Sequence, residues 1–301
     1  MTWFLVAILS YFLFAIAALG DKYLLIGPPN PKSYSFYVGT LGILVLLLIP
    51  FVGFSIPDLS QIILSLLAGA FFIFALFGFF TGLEKFEVSR VVPGIAGFLP
   101  LFTFGLIYLF SGEKEILSFW KISAFVLMLL GSVLITFKKE KLINYKPFQI
   151  SAITAFLLAI AFVLTKYVYL VQPFWSGFFW IRIGGFITAF CFIFTKEVKR
   201  EIFERKFTFQ KKTGTFFLLN QGVGAGASIL QNWAIALVPL GLLPFINVLE
   251  GTKYIFLLTF AILLSLKFPK MLKEEISREI ILQKFVATSL IIFGLVILAL
   301  K

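Results

Sequence analysis

The sequence predicts an all-α integral membrane protein whose ten transmembrane helices form two inverted five-helix repeats. Three observations carry this expectation. Of 301 residues, 60% are hydrophobic, only 13% are charged and 41 are Phe, whereas a soluble domain carries about 25% charged residues. Such a chain cannot cover a water-facing surface, and a bilayer is its natural solvent. It also divides into ten apolar stretches near the length a transmembrane helix needs, about 20 residues. Finally, FLFAIAALGDKY at 12–23 returns as FLLAIAFVLTKY at 156–167.

The ten stretches run at 3–20, 36–55, 61–83, 91–110, 118–137, 148–170, 174–195, 213–237, 240–265 and 285–300. The first lacks the basic leading region and small-residue cleavage site of a signal peptide, so it reads as a retained span. GPPNPKS at 27–33 separates it from the second, and SIPDLS at 55–60 separates the second from the third. The fourth opens after Arg90 and carries Pro93 and Pro100, which predict kinks. SGEKE at 111–115 and KKEKLINYK at 138–146 bracket the fifth. In the second half, a basic linker at 196–212 and a charged connector at 267–284 do the same work. Connections this short leave no room for a soluble domain. Lys22 beside Tyr23 and Lys166 beside Tyr167 read as interfacial anchors.

The repeat sets the domain organisation. Phe12, Leu13, Ala15, Ile16, Ala17, Lys22 and Tyr23 recur 144 positions later. Near the ends of the halves, Lys121, Ala124, Leu127, Gly131 and Val133 recur 163 positions later as Lys284, Ala287, Leu290, Gly294 and Val296. The larger second offset is absorbed by the longer linkers of the second half. The expected units are 1–140 and 141–301, each of five spans. Five is odd, so the second copy crosses the membrane in the opposite sense, an arrangement common among secondary transporters.

With these features the chain resembles the drug/metabolite transporter superfamily, in particular ten-span permeases built of two EamA-type domains. The carrying residues are the five-plus-five repeat, EVSRVVPGIAGFLPLFTFGLIYLFSGEKE at 87–115, and a Gly midway along each closing helix, Gly131 and Gly294. The resemblance spans essentially the whole chain. It departs after the ninth span, where AILLSLKFPKMLKEE replaces a short acidic turn. It implies a permease located in the cell membrane.

Composition narrows the chemistry. There is no His, and Cys191 is the single cysteine. The commonest metal ligand and any disulfide framework are therefore missing, and no metal or cofactor is expected. The net charge of +12 lies in clusters between apolar runs, the pattern of membrane topology rather than of a nucleic-acid surface. Most Lys and Arg residues occupy the odd-numbered connections, which places those in the cytoplasm and both termini outside. The resemblance implies termini inside.

Candidate site residues concentrate in spans seven to nine. GVGAGA at 222–227 fits a dinucleotide fingerprint literally, but it lies inside an apolar helix rather than after a strand. Gly222 and Gly226 are expected instead to pack helices closely, compatibly with a thin cavity wall. Asn220, Gln221, Ser228, Gln231 and Asn232 share one face of that helix, and the four amides are expected to line a cavity. Asn247, Glu250 and Lys253 follow in PFINVLEGTKYIF, with Pro244 loosening the helix. A charge at mid-membrane costs about 2.5–3.5 kcal/mol on insertion scales, so Glu250 and Lys253 read as a substrate or proton site, or as a structural pair. Arg182 either pairs with Glu250 or faces the cavity.

These observations point to a secondary permease that moves a small metabolite or drug-like solute by alternating access. Its partners are the bilayer and that solute, with no nucleic acid, and a monomer suffices because the repeat supplies an internal pseudo-dimer. A non-transporting scaffold or receptor is the alternative. An integral-membrane transferase fits less well, since catalysis needs clustered acid–base or metal groups and the only aspartates are Asp21 and Asp58.

Overall fold

A computed structural model describes residues 2–24, 30–86, 88–110, 119–136, 145–203 and 211–253, with scattered positions from 256 to 297. The connectors at 111–118, 137–144, 204–210 and 261–281, most of the ninth span beyond Lys253 and part of the tenth lie outside the described residues. Among the described residues every regular element is a helix. Helix α1 spans Thr2–Leu24 and α2 spans Pro31–Leu41, which continues as a 3-10 helix, Gly42–Leu48, into the single turn α3, Ile49–Val52. Then come α4 (Leu59–Lys85), α5 (Val88–Phe110), α6 (Phe119–Thr136), α7 (Tyr145–Val171), α8 (Phe174–Cys191) and the short α9 (Lys196–Phe203). Helix α10 (Lys211–Leu237) leads through a 3-10 turn at Leu240–Leu242 into α11 (Leu243–Leu249).

Local chemistry explains several boundaries. Asn30 caps α2 by accepting the Ser33 amide at 3.1 Å, and Pro31 occupies the first turn, where its missing N–H costs nothing. Pro50 cannot donate back into the preceding turn, and the chain ahead of it tightens to 3-10 geometry. Gly53 then ends α3 at φ 81°, a conformation that side chains disfavour.

The protein is an all-α membrane protein. Among the described residues, five helices are long and apolar enough to cross a bilayer: Thr2–Asp21, Pro31–Val52, Leu59–Lys85, Lys146–Val171 and Phe174–Phe194. Shorter apolar helices run at Gly94–Phe110, Ile122–Gly131 and Leu240–Leu249. Helix α10 matches α4 in length, 27 residues each, but its amides keep its hydropathy below that of the five. A helix of membrane length that is too polar for lipid must face protein or water.

The packing fixes where that polar face goes. Helix α1 lies along α10, α4 and α5 lie along α7, and α4 also packs on α8. Helix α11 rests on α5, with Asn247 donating to Thr103 Oγ1 at 2.7 Å. The α4–α8 approach is a backbone contact. A Cβ on Gly69 would lie 2.5 Å from Gly185 N, and nearer still to Ile181 O. A Cβ on Gly184 would lie 2.5 Å from Leu66 Cα. From the tenth span, Gly294 faces Met128 and Ala124 O of α6, and Gln283 donates to Leu134 O at 2.6 Å.

Pro93 and Pro100 both lie within α5. Three expectations are corrected here. Pro244 does not loosen a helix interior: it sits in the first turn of α11. Gly222 and Gly226 make no tight helix contact among the described residues. A Cβ on Gly222 meets nothing within 4 Å, and one on Gly226 meets only Leu13 at 3.8 Å. Lys166 is no interfacial anchor: it is 3% exposed and donates to Ala236 O at 3.0 Å, beside the C-terminus of α10, where the helix dipole favours a cation.

Candidate functional site

Between α1, α2 with its 3-10 extension, α4, α8 and α10 lies a cavity of about 400 Å³. That is the size of a small-molecule site. The packing explains its position. Ser10 Oγ donates to Ala227 O at 2.7 Å and ties α1 to α10, while the glycine contact draws α8 against α4. Helices α2 and α10 meet at the Tyr34 end, through Gln221 and Phe217, and Val38, Leu41 and Gly42 farther along line the cavity. Leu44, Leu218 and Gly222 on its rim are exposed.

One polar cluster forms where α1, α2 and α10 meet. Asp21 Oδ1 accepts from the Tyr34 hydroxyl at 2.5 Å and from Asn220 Nδ2 at 2.8 Å. Asn220 also donates to Ala17 O at 3.2 Å, and Gln221 Nε2 donates to the Tyr34 hydroxyl at 3.2 Å. The approach depends on Gly20, whose Cβ would lie 2.9 Å from Asn220 Nδ2 and closer to its Oδ1. Among the described residues, every donor on Asp21 is a neutral group.

Arg182 forms a second cluster. Its Nη2 donates to Ser228 Oγ of α10, and its guanidinium lies 4.8 Å from the Phe178 ring centroid and 5.7 Å from that of Phe72. These ring faces partly offset the cost of burying a cation. It faces the cavity and does not pair with Glu250, and among the described residues no carboxylate pairs with it.

Glu250 is matched instead by Lys253, three residues on, at 2.6 Å. Both are under 10% exposed and both line the cavity. The helix is interrupted here. Helix α11 ends at Leu249, and the Glu250, Gly251 and Lys253 amides each bond three residues back, at 3.2, 3.0 and 3.0 Å. That spacing is the tightened geometry often found at functional interruptions of a helix.

The cavity thus gathers Arg182, Asn220, Gln221, Gln231, Glu250 and Lys253, with Gly222 on its wall. It does not take in the other two candidates. Asn247 is buried between α11 and α5, where its bond to Thr103 makes it a packing residue. Asn232 turns away to accept from the Tyr169 hydroxyl at 2.9 Å, beside a smaller void of about 30 Å³ that it shares with Arg182. Helix α4 lines the cavity through Phe72, Leu76 and Phe79, whereas α5 contributes no lining residue among those described. Sequence reasoning missed Asp21, Tyr34 and the cavity-lining Tyr11, whose hydroxyl donates to Ile246 O at 2.8 Å. The repeat held a signal for the first: Asp21 stands where the second copy has Thr165, inside an otherwise matching segment.

No protein-family model and no curated protein matches the chain. Among solved structures, one crystal structure is similar over 99% of this chain and 96% of its own, with a TM-score of 0.65 at 16% identity. At that identity the likeness speaks to the fold alone.

Proposed function

We propose that the chain is a secondary transporter of the cell membrane, moving a small solute by alternating access through the cavity between two inverted five-helix repeats, as in the EamA-type permeases it resembles. The observation that carries this reading is a cavity inside an apolar helical bundle that holds Asp21 and Arg182, neither bonded to an opposite charge among the described residues. Buried charges are expensive in a membrane and mark solute or ion pathways. A scaffold needs no such chamber. Ten spans are the count that the sequence repeat requires.

Two further features support it. Span one packs on span eight (α1 on α10) and span six on span three (α7 on α4), the exchange of partners that a pseudo-two-fold axis in the membrane plane demands. The helix interruption at Glu250 also resembles the discontinuous helices of transporter binding sites. The test starts from an untargeted comparison of metabolites in cells with and without the protein. Solutes that differ are then offered to vesicles containing the purified chain. Faster equilibration than in protein-free vesicles, lost in Arg182→Gln, is the expected result. Equal rates with and without protein overturn the reading.

A further inference from the structure

The cavity is charged at two separated places. Glu250 and Lys253 close on each other, which leaves Asp21 and Arg182, among the described residues, as the two charged groups of the lining without an opposite charge bonded to them. Lys253 lies within electrostatic reach of Asp21, but its ammonium is held by Glu250. Asp21 is thus the anionic group that α1 presents to the cavity, and Arg182 the cationic group that α8 presents.

Helix α10 measures the separation. Asp21 is held by Asn220 and Arg182 by Ser228, both on α10. Eight residues of α-helix rise about 12 Å. Between the two points α10 contributes Gln221, Gly222, Gly224 and Ala225 to the cavity lining, and the last three are small residues that leave the backbone bare. Phe14, Phe72, Phe79 and Phe162 add apolar surface to the same lining. The lining therefore combines an anionic group, a largely apolar wall and a cationic group.

The geometry points to a zwitterionic solute with an apolar spacer, its ammonium on Asp21, its acid group on Arg182 and its chain along Gly222–Ala225. A solute with adjacent charges cannot engage both ends at once, and a singly charged one leaves a buried charge unmatched, the costly outcome. The inference rests on the transporter reading of the same cavity.

Binding to the purified full-length chain in nanodiscs tests it, with 8-aminooctanoate as the long zwitterion and 4-aminobutanoate, octanoate and octylamine as comparisons. An unmatched buried charge costs enough that 8-aminooctanoate is expected to bind at least about tenfold more tightly than each of the others. Asp21→Asn, which keeps the shape, should erase the advantage over octanoate. Arg182→Gln should erase the advantage over octylamine. Equal binding of all four probes, binding of none, or an advantage that survives both substitutions overturns the inference. The ranking on the unsubstituted chain decides alone if a variant fails to fold. Vesicle counterflow separates the two readings. Ranked binding without counterflow sinks transport and leaves the zwitterion site standing. Counterflow of other solutes without the ranking sinks the site and leaves transport standing.

Discussion

Replacing Gly69 with Ala tests whether backbone contact between α4 and α8 closes one side of the cavity. The added methyl would lie 2.5 Å from Gly185 N and 3.0 Å from Gly184 C, and nearer still to Ile181 O. All three are backbone atoms of α8, so no rotamer change relieves the clash. Carbon and oxygen settle at about 3.3–3.6 Å, so the helices must part locally by about 1 Å. Overpacking of this kind costs about 1–3 kcal/mol. In a chain of this size, a loss of 1 kcal/mol lowers the melting temperature by about 2–4 °C, so a drop of about 2–12 °C is expected. Gly222→Ala is the control, because a Cβ there meets nothing within 4 Å and an unopposed surface change stays within about 0.5 kcal/mol. Thermal unfolding of the purified protein, followed by size-exclusion of a fluorescent fusion, reads both. If Gly69→Ala melts with the parent protein while Gly222→Ala melts early, the assignment of contact and cavity to these two glycines is wrong.

Glu250→Gln should destabilise the protein by about 3–5 kcal/mol, because it leaves the Lys253 ammonium buried without its partner. The pair Glu250→Gln with Lys253→Met should recover most of that in the same melting assay, and failure to recover would mean that Glu250 has another charged partner. Orientation is read by a reporter active only in the cytoplasm, fused after Lys301. The basic odd-numbered connections predict an inactive fusion, and activity would favour the orientation implied by the family resemblance.

The features most legible in the sequence were those written as composition along a single helix. Apolar stretches announced membrane helices because lipid tolerates little else over such lengths. The amides of α10 stood out against that background, and three of the four, Asn220, Gln221 and Gln231, line the cavity. Asn232 does not, since one turn of helix carries neighbouring residues onto different partners. The Glu250–Lys253 pair was legible because its members are three residues apart, a distance that helix geometry alone brings together.

What stayed hidden depends on contacts between distant segments. Asp21 reads as the polar end of a first span, where an acidic residue beside Lys22 calls for no comment. Its burial comes from Tyr34, 13 residues on, and from Asn220, 199 residues on. No local pattern specifies that meeting. The glycines make the same point from the other side. Gly69 and Gly184 sit in apolar helices much as Gly222 and Gly226 do, and spacing alone treats all four as packing residues. A missing side chain permits either a close neighbour or an open wall, and the neighbouring helix decides which. Helix α8 comes down on Gly69, whereas α2 stops short of Gly222.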